Sequence, residues 1–224
     1  MDTKIVKIRE DNLDCKELRL AAKCLREGGL VAFPTETVYG LGGNGLDEPS
    51  AARIYEAKGR PSDNPLIVHI AEISDVYQLA KEVSPNAQKL MEAFWPGPLT
   101  IVFPKKDIVP MATSGGLRTI AIRCPAHEAA RALIRAAGVP IAGPSANIST
   151  KPSPTTADAV LHDMDGRIEF VIDGGDSLIG LESTVIAVEN GKIIIYRPGG
   201  ITRDMLEAFA PTELDTAITA EQEH

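Results

Sequence analysis

The chain has 224 residues, of which 44% are hydrophobic and 24% charged. That length and balance exclude a disordered or fibrous protein and suit one large domain with a substantial core. A net charge of −8 excludes a broad nucleic-acid-binding face, which needs many exposed cations, but leaves room for a small basic cleft that attracts an anion.

In chain order, Leu18, Ala21, Ala22 and Leu25 recur at helical spacing, and Gly28-Gly29 stops the helix. Leu30–Phe33 then reads as a buried strand broken by Pro34. A second helix has Pro49 in its first turn and ends near Lys58-Gly59. A strand at Leu66–Ile70 precedes two helices, one carrying Val76, Leu79, Ala80 and Val83, the other starting at Ser84-Pro85 and carrying Leu90, Met91 and Phe94. Strands follow at Leu99–Phe103 and Thr119–Arg123, then an alanine-rich helix over Glu128–Ala137 closed by Gly138. Val139–Ala142, Ile168–Ile172, Val185–Val188 and Ile193–Tyr196 complete the strands, the last two joined at Asn190-Gly191, a strong hairpin signal. Thr202 caps a final helix ending near Phe209. Beyond Pro211 the chain turns polar and aperiodic, so we expect a domain over 1–210 and a tail or interdomain linker over 211–224. Interleaved strands and helices with one antiparallel hairpin predict an α/β fold: a twisted, open mixed sheet with helices on both faces.

The chemistry concentrates at element ends. Gly40-Leu41-Gly42-Gly43-Asn44-Gly45 matches a dinucleotide fingerprint in letters, but Asp47 and Glu48 would repel phosphate at the following helix start; we read a tight backbone turn instead. Lys58 is adequately explained as a cation at a helix C-terminus with Gly59 as cap. Arg60 is not, nor is the stiff run Pro61-Ser62-Asp63-Asn64-Pro65 that follows it. His69 alternates with apolar neighbours and reads as a core histidine. Arg123 and Arg197 each end an apolar strand, and a buried arginine needs an internal acid or a bound anion. One shared anionic site explains Lys58, Arg60, Arg123 and Arg197 together, provided the sheet brings them together. Ser145 and Asn147 follow Pro144 as turn formers, and Glu182-Ser183-Thr184 reads as a polar strand entry. No Gly-x-Ser-x-Gly and no cysteine–histidine arrangement is present, so positioning and charge neutralisation are favoured over covalent catalysis. Cys15, Cys24 and Cys124 lack metal or redox spacing, and the four histidines form no ligand pattern with them. No signal region or ~18-residue apolar run occurs, so we expect a cytoplasmic protein with no membrane partner and no dedicated metal site.

With these residues in view, the chain resembles the YrdC-like family of threonylcarbamoyl-AMP synthases. The resemblance rests on Gly28 through Leu41 (Gly-Gly-Leu-Val-Ala-Phe-Pro-Thr-Glu-Thr-Val-Tyr-Gly-Leu), Lys58-x-Arg60 and Ser145-x-Asn147. Arg60-Pro61-x-x-Asn64-Pro65-Leu66, Trp95 through Thr100, Glu182 through Val185 and Arg197-Pro198-Gly199 support it, all in family order. It implies a deep, positively charged cavity and the synthesis of L-threonylcarbamoyl-AMP and pyrophosphate from L-threonine, bicarbonate and ATP. Mg²⁺ would arrive on the ATP. A partner transferase would pass the group to the tRNA adenosine beside the anticodon, and a weak contact with tRNA or double-stranded RNA is part of the implication. On matching positions, Thr35, His69, Arg123 and Ser183 would bind threonine, and Lys58, Ser62, Thr119, Ser145, Ser153 and Arg197 would contact ATP. Lys58, Arg60, Ser145 and Asn147 form the catalytic set it implies. Longer members of the family carry a second domain after a linker. Two other readings are a carbamoyl-adenylate-forming domain and an RNA-binding or ribosome-assembly module.

Overall fold

The computed structural model describes residues 1–216. Its strands are β1 (Lys4–Lys7), β2 (Val31–Phe33), β3 (Gly40–Asn44), β4 (Ile67–His69), β5 (Leu99–Pro104), β6 (Thr119–Arg123), β7 (Ile141–Ala142), β8 (Phe170–Asp173), β9 (Thr184–Glu189), β10 (Lys192–Arg197) and β11 (Thr212–Leu214). The helices are α1 (Lys16–Arg26), α2 (Glu48–Lys58), α3 (Val76–Leu79), α4 (Pro85–Phe94), α5 (Glu128–Ala137), α6 (Ala157–Met164) and α7 (Arg203–Glu207). The strands form one mixed sheet in the order β1-β8-β2-β3-β7-β4-β6-β5-β9-β10-β11. Parallel pairs (β4 with β6, β5 with β9) alternate with antiparallel ones (β5 with β6, β9 with β10) across its centre.

Strand alternation divides the core in two. In β2, Val31 and Phe33 pack with Leu18, Leu25, Leu133 and Ile134 of α1 and α5 on one face, while Ala32 faces Ile54, Leu90, Met91 and Val160 of α2, α4 and α6 on the other. Helix ends follow the chemistry of the chain. Asp47 accepts from the Ser50 amide and Ser84 from that of Ala87, while Gly59 (φ 64°) and Gly138 (φ 69°) close α2 and α5 in the left-handed conformation.

The glycine run at 40–45, expected as a turn, is strand β3, and none of its glycines has a positive φ. What it needs is the missing side chain. A Cβ on Gly42 would lie 2.6 Å from the Val31 carbonyl oxygen, and one on Gly43 would lie 2.9 Å from Ile54 Cδ1. Backbone cannot yield as a side-chain tip can. We therefore expect Gly42→Ala to destabilise the protein by about 1–3 kcal/mol, read by urea denaturation; unchanged stability would refute this packing account.

The helix expected over Val76–Val83 is shorter: a 3₁₀ turn at Ile73–Asp75 leads into α3, which ends at Leu79, and Ala80 then bridges to Lys105. The sheet also runs on past Pro211, where a tail was expected, because Thr212–Leu214 pair in parallel with Ile193–Ile195. Residues 217–224 of that segment lie outside the described residues. Among the described residues no helix is long and apolar enough to cross a membrane.

Candidate active site

One face of the sheet centre is hollow. In β6 the buried Ile120 and Ile122 point to the core, and Thr119, Ala121 and Arg123 point the other way. Those three, with Ile67 and His69 of β4, Val102 of β5 and Val185 of β9, line a cavity of about 530 Å³. A bulge between Ile195 and Arg197 breaks the alternation of β10, so Tyr196 and Arg197, consecutive in sequence, both reach the cavity. Loops complete the wall: Thr35, Thr37 and Val38 before β3, Arg60, Asn64 and Pro65 before β4, Gly143 to Ser145 after β7, and Glu182 with Ser183 before β9.

His69 and Arg123 are direct neighbours in register. The Arg123 guanidinium is buried, with Nε donating to the Gly97 carbonyl (3.1 Å), Nη1 to Thr37 Oγ1 (2.8 Å) and Nη2 to the Glu36 carboxylate. One N–H on each Nη is left for the cavity. His69 sits edge-on to Phe33 with ring centroids 5.5 Å apart, and its Nδ1 has no hydrogen-bond partner. Burial first, and the Arg123 charge second, push its pKa down to about 3, so the ring is neutral at physiological pH. An unfolded histidine titrates near 6.5. Between those values the unfolded chain holds the extra proton, so stability falls as pH drops below 6.5, by up to ~1.4 kcal/mol per unit. His69→Gln should flatten the stability slope between pH 6.5 and 5; an unchanged slope would overturn that assignment.

Thr35 closes its own loop, its hydroxyl donating to the Val38 carbonyl and lying 2.9 Å from Thr37 Oγ1. Ser183 Oγ pairs with Thr100 Oγ1 (2.7 Å) and accepts from Arg197 Nη2 (3.1 Å). Arg197 also donates to the Ser183 carbonyl and to Glu182, whose other oxygen accepts from Ser153 Oγ at 3.2 Å.

At the other end, Arg60 donates Nη2 to the Pro65 carbonyl (2.7 Å) and leaves its buried Nε without a partner. Lys58 is not solvent-facing. Its ammonium is buried and donates to the backbone carbonyls of Ser145 and, at 2.7 Å, of Asn147. The loop is held from both sides, since Ala146 N–H donates to the Tyr39 carbonyl and Ser149 N–H to that of Lys58. Asn147 turns its amide nitrogen to the Ile148 and Lys151 carbonyls and leaves Oδ1 buried and unpartnered.

The four cations feel one another. After burial, Arg60 is what most lowers the pKa of Lys58, to about 8. For Arg60 and Arg123, too, burial is the first cause of a lowered pKa and Arg197 adds to it, against the opposing pull of Glu182 and Glu36 respectively. The ion pairs that reach the cavity among the described residues are Arg123–Glu36 and Arg197–Glu182, and Lys58 and Arg60 join neither. An uncompensated buried charge is costly unless an anion meets it.

Of the residues singled out from sequence, the cavity wall therefore gathers Thr35, Arg60, His69, Thr119, Arg123, Ser145, Ser183 and Arg197. Lys58 and Asn147 stand directly behind it, and Ser153 reaches it through Glu182. Ser62 does not join them; it lies on the exposed part of its loop. Given no role in the site by the sequence were the carboxylates Glu36 and Glu182, the hydroxyls of Thr37 and Thr100, and the apolar residues Val102, Leu117, Ala121, Val185 and Tyr196. Period-two counting back from Arg123 finds Ala121. Nothing local reveals which glutamate meets which arginine across 87 residues.

The model of the Sua5–YciO–YrdC family, described as telomere recombination, matches residues 23–199. A threonylcarbamoyl-AMP synthase of Pyrococcus abyssi is 54% identical over 205 residues, covering 92% of this chain and 60% of that protein. One of Bacillus subtilis is 51% identical over 209 residues, with the same coverage of 92% and 60%. The crystal structure of P. abyssi Sua5 complexed with L-threonine matches the fold with a TM-score of 0.89 at 51% identity, over 94% of this chain and 63% of that one. The chain thus spans about 60% of the length of the curated relatives it matches.

Proposed function

The chain belongs to the Sua5–YciO–YrdC family, and on that footing we propose that it is a nucleotidyltransferase forming L-threonylcarbamoyl-AMP and pyrophosphate from L-threonine, bicarbonate and ATP. The observation that carries this reading is that one cavity brings together Arg123, balanced by Glu36, and Arg60, which with Lys58 behind it forms no ion pair among the described residues and feels Glu182 only from a distance. We take the first as the neutral end and the second as the cationic end. An amino acid carries no net charge and a triphosphate carries several, so the two substrates suit adjacent ends of one hollow.

In this scheme Arg123 takes the threonine carboxylate, with Thr35, His69 and Ser183 around the rest of the molecule. The threonine amine attacks the carbon of carbon dioxide, losing a proton to solvent, or that of bicarbonate, expelling water, and becomes a carbamate. A carbamate oxygen then attacks the α-phosphorus of ATP, the bond to the bridging oxygen breaks, and pyrophosphate leaves with the electron pair. Arg60, Ser145 and Arg197 hold the phosphates, Thr119 and Ser153 lie along the nucleotide, and Lys58 and Asn147 support the loop that presents Ser145. Such a transfer depends on alignment and charge neutralisation, which these groups supply without a covalent intermediate. Mg²⁺ neutralises phosphate charge when it travels with ATP. No three His, Cys, Asp or Glu side chains among the described residues cluster to cage a metal, which suits an ion held by phosphate oxygens and water.

The adenylate is reactive and needs an acceptor; a partner transferase moves the group to the tRNA adenosine beside the anticodon, and a weak contact with tRNA or double-stranded RNA fits that hand-over. A cytoplasmic setting suits the three free thiols, Cys15, Cys24 and Cys124. The test is pyrophosphate release from ATP with threonine, bicarbonate and Mg²⁺ present. We expect release to require threonine and carbamoyl phosphate to be no substitute for bicarbonate; release that persists without threonine would refute the proposal.

A further inference from the structure

Glu36 is absent from the cavity wall although its neighbours Thr35 and Thr37 both line it. Its carboxylate lies against Arg123, one oxygen accepting from Nη2 and the other from the Ala126 amide at 2.7 Å. The backbone around it is strapped down, because Ile179 N–H donates to the Glu36 carbonyl and Gly180 N–H to that of Thr37. Glu36 is thus a fixed negative charge beside a buried cation, committed on both oxygens to the protein and outside the cavity wall that its cation lines.

Resting on the proposed function, we propose that Glu36 determines specificity by making the amino-acid end of the cavity select a zwitterion over inorganic anions. A phosphate dianion at Arg123 is repelled by Glu36 twice as strongly as a monovalent carboxylate at the same place. An amino acid's ammonium group recovers part of even that cost, because Glu36 attracts it. The reaction makes this selection necessary: pyrophosphate is released in the same cavity, and a bare Arg123 would hold it where the next threonine must bind. Glu36 therefore works against the wrong ligand more than for the right one. Thr37 and the Gly97 carbonyl aim the guanidinium, and Glu36 sets its net charge.

Displacement of bound L-threonine by inorganic phosphate and by pyrophosphate, followed calorimetrically on the full chain, tests this. For Glu36→Gln we expect phosphate to become a competitor of threonine, with the threonine-to-phosphate affinity ratio shifted by about tenfold toward phosphate. Glu36→Asp keeps the charge but withdraws it by one methylene, and should shift the ratio by about two- to threefold; it carries the test if the glutamine variant does not fold. Thr37→Val should weaken both ligands alike and leave the ratio in place, as any merely structural loss would. Wild-type protein that binds threonine, with Glu36 variants whose ratio does not move, overturns this inference alone. Wild-type protein that binds no threonine overturns the proposed function and this inference with it.

Discussion

Replacing Arg60 with alanine should slow pyrophosphate release by about 10²–10³-fold, the usual cost of removing one charged donor from a preorganised site, while leaving thermal stability close to that of the parent protein. Arg60 is only partly buried, it makes a single hydrogen bond to the Pro65 carbonyl, and its Nε meets no protein acceptor. Little of the fold depends on it. The loop that carries it is fixed independently, since Gly115 packs so closely on Asp63 and Pro65 that a Cβ there would lie 2.8 Å from the Pro65 nitrogen. The guanidinium has no ion-pair partner among the described residues, which is the state expected of a group that waits for phosphate. Steady-state rates at saturating threonine, with a melting curve for each protein, check this. A variant within threefold of the parent rate would remove Arg60 from the site.

Lys58→Ala should be as damaging to activity, about 10²–10³-fold, but by a different route and with a loss of stability. The ammonium bridges the carbonyls of Ser145 and Asn147. Its removal leaves two buried acceptors unpaired, at about 1–3 kcal/mol each before the loop relaxes. Activity and stability should fall together here, whereas they separate in Arg60→Ala. Arginine is no substitute, because its planar fork cannot take the place of a compact three-donor ammonium between two carbonyls. The charge matters as well. Burial and then Arg60 bring the Lys58 pKa down to about 8, so kcat/KM for ATP should decline as pH rises through about 8, when the free protein loses that proton. Bound phosphate holds the proton on, so kcat should decline at higher pH. A Lys58→Ala protein with parental stability would show that the loop does not lean on this side chain.

Much of the scaffold was legible because its signals are local. The starts of α2 and α4 follow from Pro49 and from Ser84-Pro85, their stops and that of α5 from Gly59, Trp95-Pro96 and Gly138, and the β9–β10 hairpin from Asn190-Gly191. What escaped lacks such marks. Strand β1 has one buried residue in four and two lysines, and α6 has three buried residues in eight. Strand β3 looks like a turn because a glycine needed for close packing cannot be told, in sequence, from one needed for a left-handed φ. The site was half-legible for a related reason. Arginines at the ends of apolar strands, as Arg123 and Arg197 are, declare that something must meet their charge, and they do converge with Arg60 from the loop after α2. Their partners come from distant loops, so that Arg123 and Arg197 are neutralised while Arg60 is not is a fact of tertiary structure alone. Lys58 does end α2 with Gly59 as its cap, as its position declares, but its burial beneath the 145–149 loop is again set by distant chain and left no mark in the sequence.

The central claim is that one cavity holds an amino acid at its neutral end and a triphosphate at its cationic end. Its most direct test is a crystal structure of the chain with L-threonine and a non-hydrolysable ATP analogue. The account predicts the threonine carboxylate on the free N–H groups of Arg123 and the phosphates against Arg60 and the Ser145 loop, with the amine facing the α-phosphorus. Threonine and nucleotide in separate places, or phosphates seated on Arg123, would contradict it.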